Sequence, residues 1–292
     1  MCIKNYLFGL VFFFGVSLPV HASYLDIKIW TDQPEYLVRE PIIVEYTVKN
    51  ISDSTIRMTF LLLPFDFKIT DQNGVSYPGR LSIQVGFADD DLLPPGGECN
   101  GGVNITDLYG VVSSSEYSCY FEHPQGPKEY ISPEGKSNEI KIMVKEPEGD
   151  EKEALDMLLE ADKLKYSRDE QHGGRDLKKA ELGFLKYQEL ADRYPNSVYA
   201  PLALDGAIGV YQYSPDFESM KKIIPVCKRL IENYPNSIYF LSAFTSLEGV
   251  YEVLKDKPGA IAAMSELIEK HSDSKISEEA KRRLEQIEKW NF

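Results

Sequence analysis

The sequence predicts an all-β segment followed by an all-α segment, and three observations carry that expectation. Between residues 23 and 147, short runs alternate apolar and polar residues, with turn residues between them. Past Pro147-Glu148-Gly149-Asp150 the apolar period lengthens to that of a helix. Within this second segment Tyr194-Pro195-Asn196-Ser197-Val198-Tyr199 returns 40 residues later as Tyr234-Pro235-Asn236-Ser237-Ile238-Tyr239.

In the first segment, alternation marks strands at 25–29, 42–48, 65–70, 81–85, 117–121 and 139–144. Asn73-Gly74 is the strongest hairpin signal, because both central positions of a type I′ turn need positive φ. About seven short strands without helical periodicity suggest a two-sheet sandwich. The pattern Asp32, Tyr36, Glu40-Pro41-Ile42, Val44, Tyr46-Thr47-Val48, Asn50 resembles the opening of immunoglobulin-like domains of exported bacterial proteins. Leu93-Pro94-Pro95-Gly96, Tyr117-Ser118-Cys119-Tyr120 and Ser137-Asn138-Glu139-Ile140 resemble that family's later strands and turns. The resemblance implies an immunoglobulin-like β-sandwich over 23–147, serving as a spacer or adhesion module.

In the second segment Ala154, Leu155, Leu158, Leu159, Ala161 and Leu164 share one helical face, and a polar loop follows at 168–174. The 40-residue offset also relates Leu190 to Leu230, Ala203 to Ala243 and Gly209-Val210-Tyr211 to Gly249-Val250-Tyr251. A worn third copy follows 37 residues on, with Leu267-Ile268, Ser274, Ala280 and Leu284. Pro cannot continue a helix, so Tyr-Pro-Asn ends one helix, and Ser197, Ser237 and Ser274 are expected to be the N-caps of the next. Small residues at Ala203, Ala243 and Ala280 allow close helix approach, and helices are expected near 151–166, 176–193, 198–212, 217–233, 238–255, 258–270 and 275–289. Pro225 should kink the fourth. Tyr199, Tyr239, Tyr211 and Tyr251 recur with the repeat, so they are expected to pack between helices. The repeats resemble the tetratricopeptide type, in particular the Tyr-Pro-x-Ser variety of cell-envelope and outer-membrane assembly proteins. That resemblance covers about 176–289 and implies an α-helical hairpin solenoid with a concave surface for peptides or partner proteins. The expected organisation is a signal peptide at 1–22, the β-sandwich at 23–147, a linking helix and loop at 148–175 and the repeats at 176–292.

A net charge of −14 and a pI near 4.9 argue against nucleic-acid binding, which rests on Lys and Arg neutralising phosphates. Lys4, the apolar run 6–16 and Val20-His21-Ala22 have the layout of a secretory signal cleaved near Ala22. The run is too short for a membrane span, and no later segment supplies one, so a periplasmic or secreted chain is expected. Export would permit a disulfide between Cys99 and Cys119, a closure of about 20 residues that contributes on the order of 3 kcal/mol when the geometry fits. Cys227, among Ile223, Ile224, Val226 and Leu230, reads as a small buried hydrophobe.

His123, His172 and His271 show no HExxH pairing, and the chain has no CxxC, so neither a metal nor any other cofactor is expected. Asp89-Asp90-Asp91 lacks the calcium-loop spacing, and His172-Gly173-Gly174 comes without a Gly-x-Ser-x-Gly nucleophile turn. Asn50-Ile51-Ser52 and Asn104-Ile105-Thr106 fit the glycosylation pattern. No residue is expected to be catalytic. The leading expectation is a non-enzymatic, exported interaction or scaffold protein of the bacterial cell envelope, whose helical repeats hold a peptide or protein partner. A carbohydrate- or surface-adhesion role for the acidic β segment ranks second, and an exported hydrolase third.

Overall fold

A computed structural model describes residues 24–57, 67–77, 92–111, 113–123, 135–167, 176–212 and 216–291. Two compact units emerge, each discontinuous in sequence. The first draws on Met1–Pro34, Ile42–Gly110 and Glu116–Ile142, the second on Glu35–Pro41, Val111–Ser115 and Met143–Phe292.

Alternation places strands where it was read. In β1 (Leu25–Trp30) and β3 (Ile43–Asn50) every second residue is buried, and the two pair antiparallel with Ile27 opposite Val48. The other side of β3 pairs antiparallel with β7 (Glu98–Asn104), which puts Val48 opposite Cys99. β1 is also joined in parallel to β9 (Gly135–Lys145), where Ile27 meets Ser137. Here the Asn138 side chain acts as a piece of strand. Its Oδ1 accepts from Ile29 N–H and its Nδ2 donates to Ile29 O, both at 2.9 Å. β9 neighbours β8 (Ser115–His123), which pairs antiparallel with β5 (Phe67–Asp71). The path is therefore β5-β8-β9-β1-β3-β7, and β2 (Glu35–Leu37) pairs in parallel with the end of β9. β4 (Ile56–Arg57) and β6 (Leu92–Leu93) form a separate two-stranded ladder.

This overturns the expected fold class. The chain is mixed α/β, with a seven-stranded sheet of parallel and antiparallel pairs, and is not an immunoglobulin-like sandwich followed by a tetratricopeptide-like solenoid. Alternation records which face of a strand is buried and carries no information about which strand it will pair with. The parallel partner of β1 lies about 110 residues away, and β2 belongs with the helices.

Two local expectations change as well. At Asn73-Gly74 only the glycine has positive φ (78°), so the turn is not type I′. Gly74 N–H donates to Asp71 O at 2.9 Å, and the Asp71 carboxylate accepts from Asn73 N–H and Val75 N–H, each at 2.9 Å. That is a side-chain-capped turn closed by a left-handed glycine. A short helix, α1 (Ile105–Tyr109), interrupts the β segment. Asn104 caps it by accepting from Thr106 N–H and Asp107 N–H. The expected strand at 81–85 lies outside the described residues.

In the second unit the helices fall close to their expected spans. They are α2 (Gly149–Lys165), α3 (Leu177–Arg193), α4 (Ala200–Tyr211), α5 (Phe217–Lys221), α6 (Ile223–Asn233), α7 (Phe240–Val253), α8 (Lys257–Lys270) and α9 (Lys275–Ile287). Pro225 interrupts its helix: the ladder breaks at Lys222, between α5 and α6, because the proline has no N–H for the Lys221 carbonyl. Consecutive helices pack together, and Gly183 shows how closely. A Cβ there would lie 3.0 Å from both Ala161 O and Lys165 N on α2. Ala203, Ala243 and Ala280 are fully buried in α4, α7 and α9, as their small size predicts.

Candidate functional site

The repeated string builds the same turn twice. Tyr194 and Tyr234 end α3 and α6, with φ, ψ of −127°, 58° and −131°, 54°, and their N–H groups donate to Leu190 O and Leu230 O. Ser197 N–H and Ser237 N–H then donate to the carbonyls of Tyr194 and Tyr234, both at 3.0 Å. Each serine hydroxyl accepts from the N–H two residues on, of Tyr199 or Tyr239, at 3.1 Å. So Ser197 and Ser237 shape the turn, while the helices begin at Ala200 and Phe240. In the worn third copy His271 ends α8 with φ, ψ of −125°, 42°, and Ser274 is a true N-cap that accepts from Ser277 N–H at 3.3 Å. The 40-residue relation extends further than the sequence reading noticed. Asp176 and Asp216 both cap helices, each accepting from the N–H groups two and three residues on.

Successive copies are tied together. Tyr234 Oη donates to Pro195 O at 2.7 Å, and Lys275 Nζ donates to Pro235 O at 3.2 Å. Arg229 pairs with Asp192 across α6 and α3, and Lys228 and Lys270 pair with Glu266 and Glu232 across α6 and α8. Each pair keeps one partner exposed to solvent, so they orient the helices more than they stabilise them.

The first turn is occupied. Tyr199 is fully buried, and its hydroxyl donates to the Val38 carbonyl at 2.6 Å. Val38 belongs to Glu35–Pro41, a segment whose β2 strand runs parallel to residues 143–145, whose Tyr36 is buried and which turns at Val38 and Arg39. Val38 N–H continues that ladder by donating to Lys145 O at 2.9 Å. The segment bends back at Arg39 (φ 70°), where Glu40 N–H donates to Leu37 O and the Glu40 carboxylate accepts from Leu37 N–H at 2.7 Å. Arg39 faces Asp162 of α2 at 3.8 Å, and Asp162 also accepts from Tyr187 of α3. A carboxylate fills the remaining donors of the turn: Glu151 accepts from Ser197 Oγ at 2.7 Å and from Val198 N–H at 3.4 Å. Burial, followed by the neighbouring Glu151, Glu40 and Glu146, holds the Tyr199 hydroxyl well above the usual phenol range.

The residues singled out by sequence are placed elsewhere. Cys99 on β7 and Cys119 on β8 are thiols with three strands (β9, β1, β3) between theirs in the sheet order, and no disulfide joins them. Burial pushes the Cys119 thiol up to about 12 and raises Cys227 as well, so both stay protonated near neutral pH. Asn50 is fully buried. Its Nδ2 donates to Ser54 O and Leu93 O, and its Oδ1 accepts from Ser52 N–H and Oγ, so it closes the end of β3 and is not a surface acceptor for glycan. Asn104 is the cap of α1. Tyr211 packs against Phe184 with the ring centres 5.1 Å apart and the planes tilted by 59°, a packing role. Asp89-Asp90-Asp91, His172-Gly173-Gly174 and the signal at 1–22 lie outside the described residues. Among the described residues no group of three His, Cys, Asp or Glu could hold a metal ion, and no helix is long and apolar enough to cross a membrane.

The segment at 35–41 is the feature that sequence reasoning missed. Its Tyr36 and Glu40-Pro41 enter only the immunoglobulin-like pattern, and nothing local links Val38 to a tyrosine 161 residues away. Compared with known proteins, the chain matches no family model and no curated relative.

Proposed function

We propose that this protein is an exported, non-enzymatic interaction module whose helical unit holds a segment of a partner protein. One observation supports this above all. The first copy of the repeated turn already holds another part of the chain, through the Tyr199 hydroxyl on the carbonyl of Val38, in the tight turn that follows β2. A backbone carbonyl accepts this bond whatever its side chain, so the same device suits partner segments of varied sequence. The acidic chain, at −14, disfavours polyanionic partners.

The test is selection of displayed peptides on the immobilised, full-length protein. Enrichment of binding peptides is expected. Selection that returns nothing above an unrelated acidic control would overturn the proposal. Export is tested by fractionating cells that express the chain with and without residues 1–22: the processed form should leave the cytoplasm only when they are present, and retention of both forms would overturn it.

A further inference from the structure

We infer that one face of the first unit, at Trp30 and Glu45, is a docking site for an arginine side chain of a partner protein. The site is carried by the sheet alone and goes beyond the interaction reading of the helical unit.

Alternation turns one side of β1, β3 and β7 to solvent, and the register sets its residues in rows. Asp26 lies opposite Lys49, and Lys49 opposite Glu98. Lys28 lies opposite Thr47, and Thr47 opposite Asn100. Trp30 lies opposite Glu45, and Glu45 opposite Gly102. The first two rows satisfy themselves. Lys49 donates to Glu98 at 2.8 Å, Lys28 lies 3.9 Å from Asp26, and Thr47 donates to Asn100 at 2.5 Å. The third row does not. Trp30 is 40% exposed, Glu45 is exposed, and among the described residues neither side chain has a hydrogen-bond, ion-pair or ring partner.

Charge selects the occupant. The ionised side chains of this face are Asp26, Glu45 and Glu98 against Lys28 and Lys49. The pairs already formed use both cations, so the surplus negative charge rests on Glu45, directly across the ladder from the exposed indole. Opposed residues on neighbouring strands have Cβ atoms about 5 Å apart. A planar guanidinium can therefore lie on the indole and turn its N–H edge to both carboxylate oxygens. An ammonium has no flat face and no such fork. Gly102 leaves the far side of Glu45 uncovered, and a Cβ there would lie 3.0 Å from Ile43 Cγ2. At longer range the net charge of −14 favours a basic partner.

The probes are N-acetyl-arginine amide, its lysine counterpart and its uncharged citrulline counterpart. Each is titrated into the full-length protein, isotope-labelled at tryptophan and glycine nitrogen and followed by NMR. The chain has two tryptophans, so Trp290→Phe assigns the Trp30 indole signal. A saturable shift of that signal is expected with the arginine probe, half-complete on the order of 10–100 mM, as befits one exposed cation–π contact and one exposed ion pair. The lysine probe should bind several-fold more weakly, and citrulline should give no saturable shift. Glu45→Gln should weaken arginine binding about threefold, and Glu45→Lys should abolish it. Trp30→Leu removes the reporter, so the Gly102 amide is followed there, and affinity should fall about threefold. Should Trp30→Leu lower the melting temperature, the two exposed Glu45 variants carry the test.

A citrulline response equal to that of arginine, a drift without saturation, or lysine bound as tightly as arginine would each overturn the inference. So would unchanged affinity in the Glu45 variants, which would put the arginine elsewhere on the acidic surface. None of these outcomes bears on the display selection, so either reading can fail alone.

Discussion

The first and second Tyr-Pro-Asn-Ser turns have nearly the same dihedral angles and the same internal hydrogen bonds, yet one is filled by the chain itself and the other faces outward. Tyr199 is sealed beneath Glu35–Pro41 and donates to a backbone carbonyl, while Ile238 and Leu241 stand exposed beside Tyr239. The turn geometry is local and comes with the sequence repeat. Occupancy depends on a segment from the other end of the chain, so an exact repeat can carry two different roles.

The largest effects should come from what all copies share. Ala203, Ala243 and Ala280 have no exposed surface, and Leu at any of them must push neighbouring helices apart, costing about 1–3 kcal/mol each. Urea unfolding of the three single variants measures this. Near-equal losses support three equivalent copies, and a negligible loss at Ala280 would show that the worn third copy packs differently.

Next in size is the change that should separate the copies. Tyr199→Phe removes a buried donor from the Val38 carbonyl and should cost about 1–2 kcal/mol. Ser197→Ala loses a donor to Glu151 as well as an acceptor for Tyr199 N–H, whereas Ser237→Ala loses only the latter. Ser197→Ala is therefore expected to be worse by about 0.5–1.5 kcal/mol. Equal losses at the two serines would erase the distinction.

The smallest effect is a dependence on alkaline pH. Tyr199 is held above its ordinary value in the folded state, so the fold favours the neutral phenol. Its contribution is complete below the unfolded value of about 10 and is lost as pH climbs beyond it. Burial also pushes Tyr46 up to about 12, so some of this fall belongs to the first unit. Stability measured at pH 8 and again above pH 10 should drop less in Tyr199→Phe than in the parent. An unchanged drop would assign the effect elsewhere.

Much of the helical unit was legible in advance. Periodicity located the helices to within a few residues, except that the single kinked helix expected at 217–233 is two, α5 and α6, and the small residues Ala203, Ala243 and Ala280 are buried. Helices are local, with each turn bonded four residues away, so the information sits where the structure forms. The sheet was legible only in part. Alternation found β1, β3, β5, β8 and β9, but missed β7, whose Glu-Cys-Asn-Gly-Gly-Val-Asn sequence has little strand propensity and pairs because β3 offers it an edge. The candidate site was half legible, as the repeat pointed to both turns and nothing pointed to Glu35–Pro41.

The sequence by itself determined the elements that depend on neighbours in the chain: the helix spans, the repeated turn and its serine, and the buried face of each alternating strand. Only the tertiary structure decided which strands pair, that β1 meets β9 in parallel through Asn138, and that Val38 comes to rest on Tyr199. The last two join segments more than 100 residues apart, where closing the chain costs entropy that only packing and hydrogen bonding across the contact can offset.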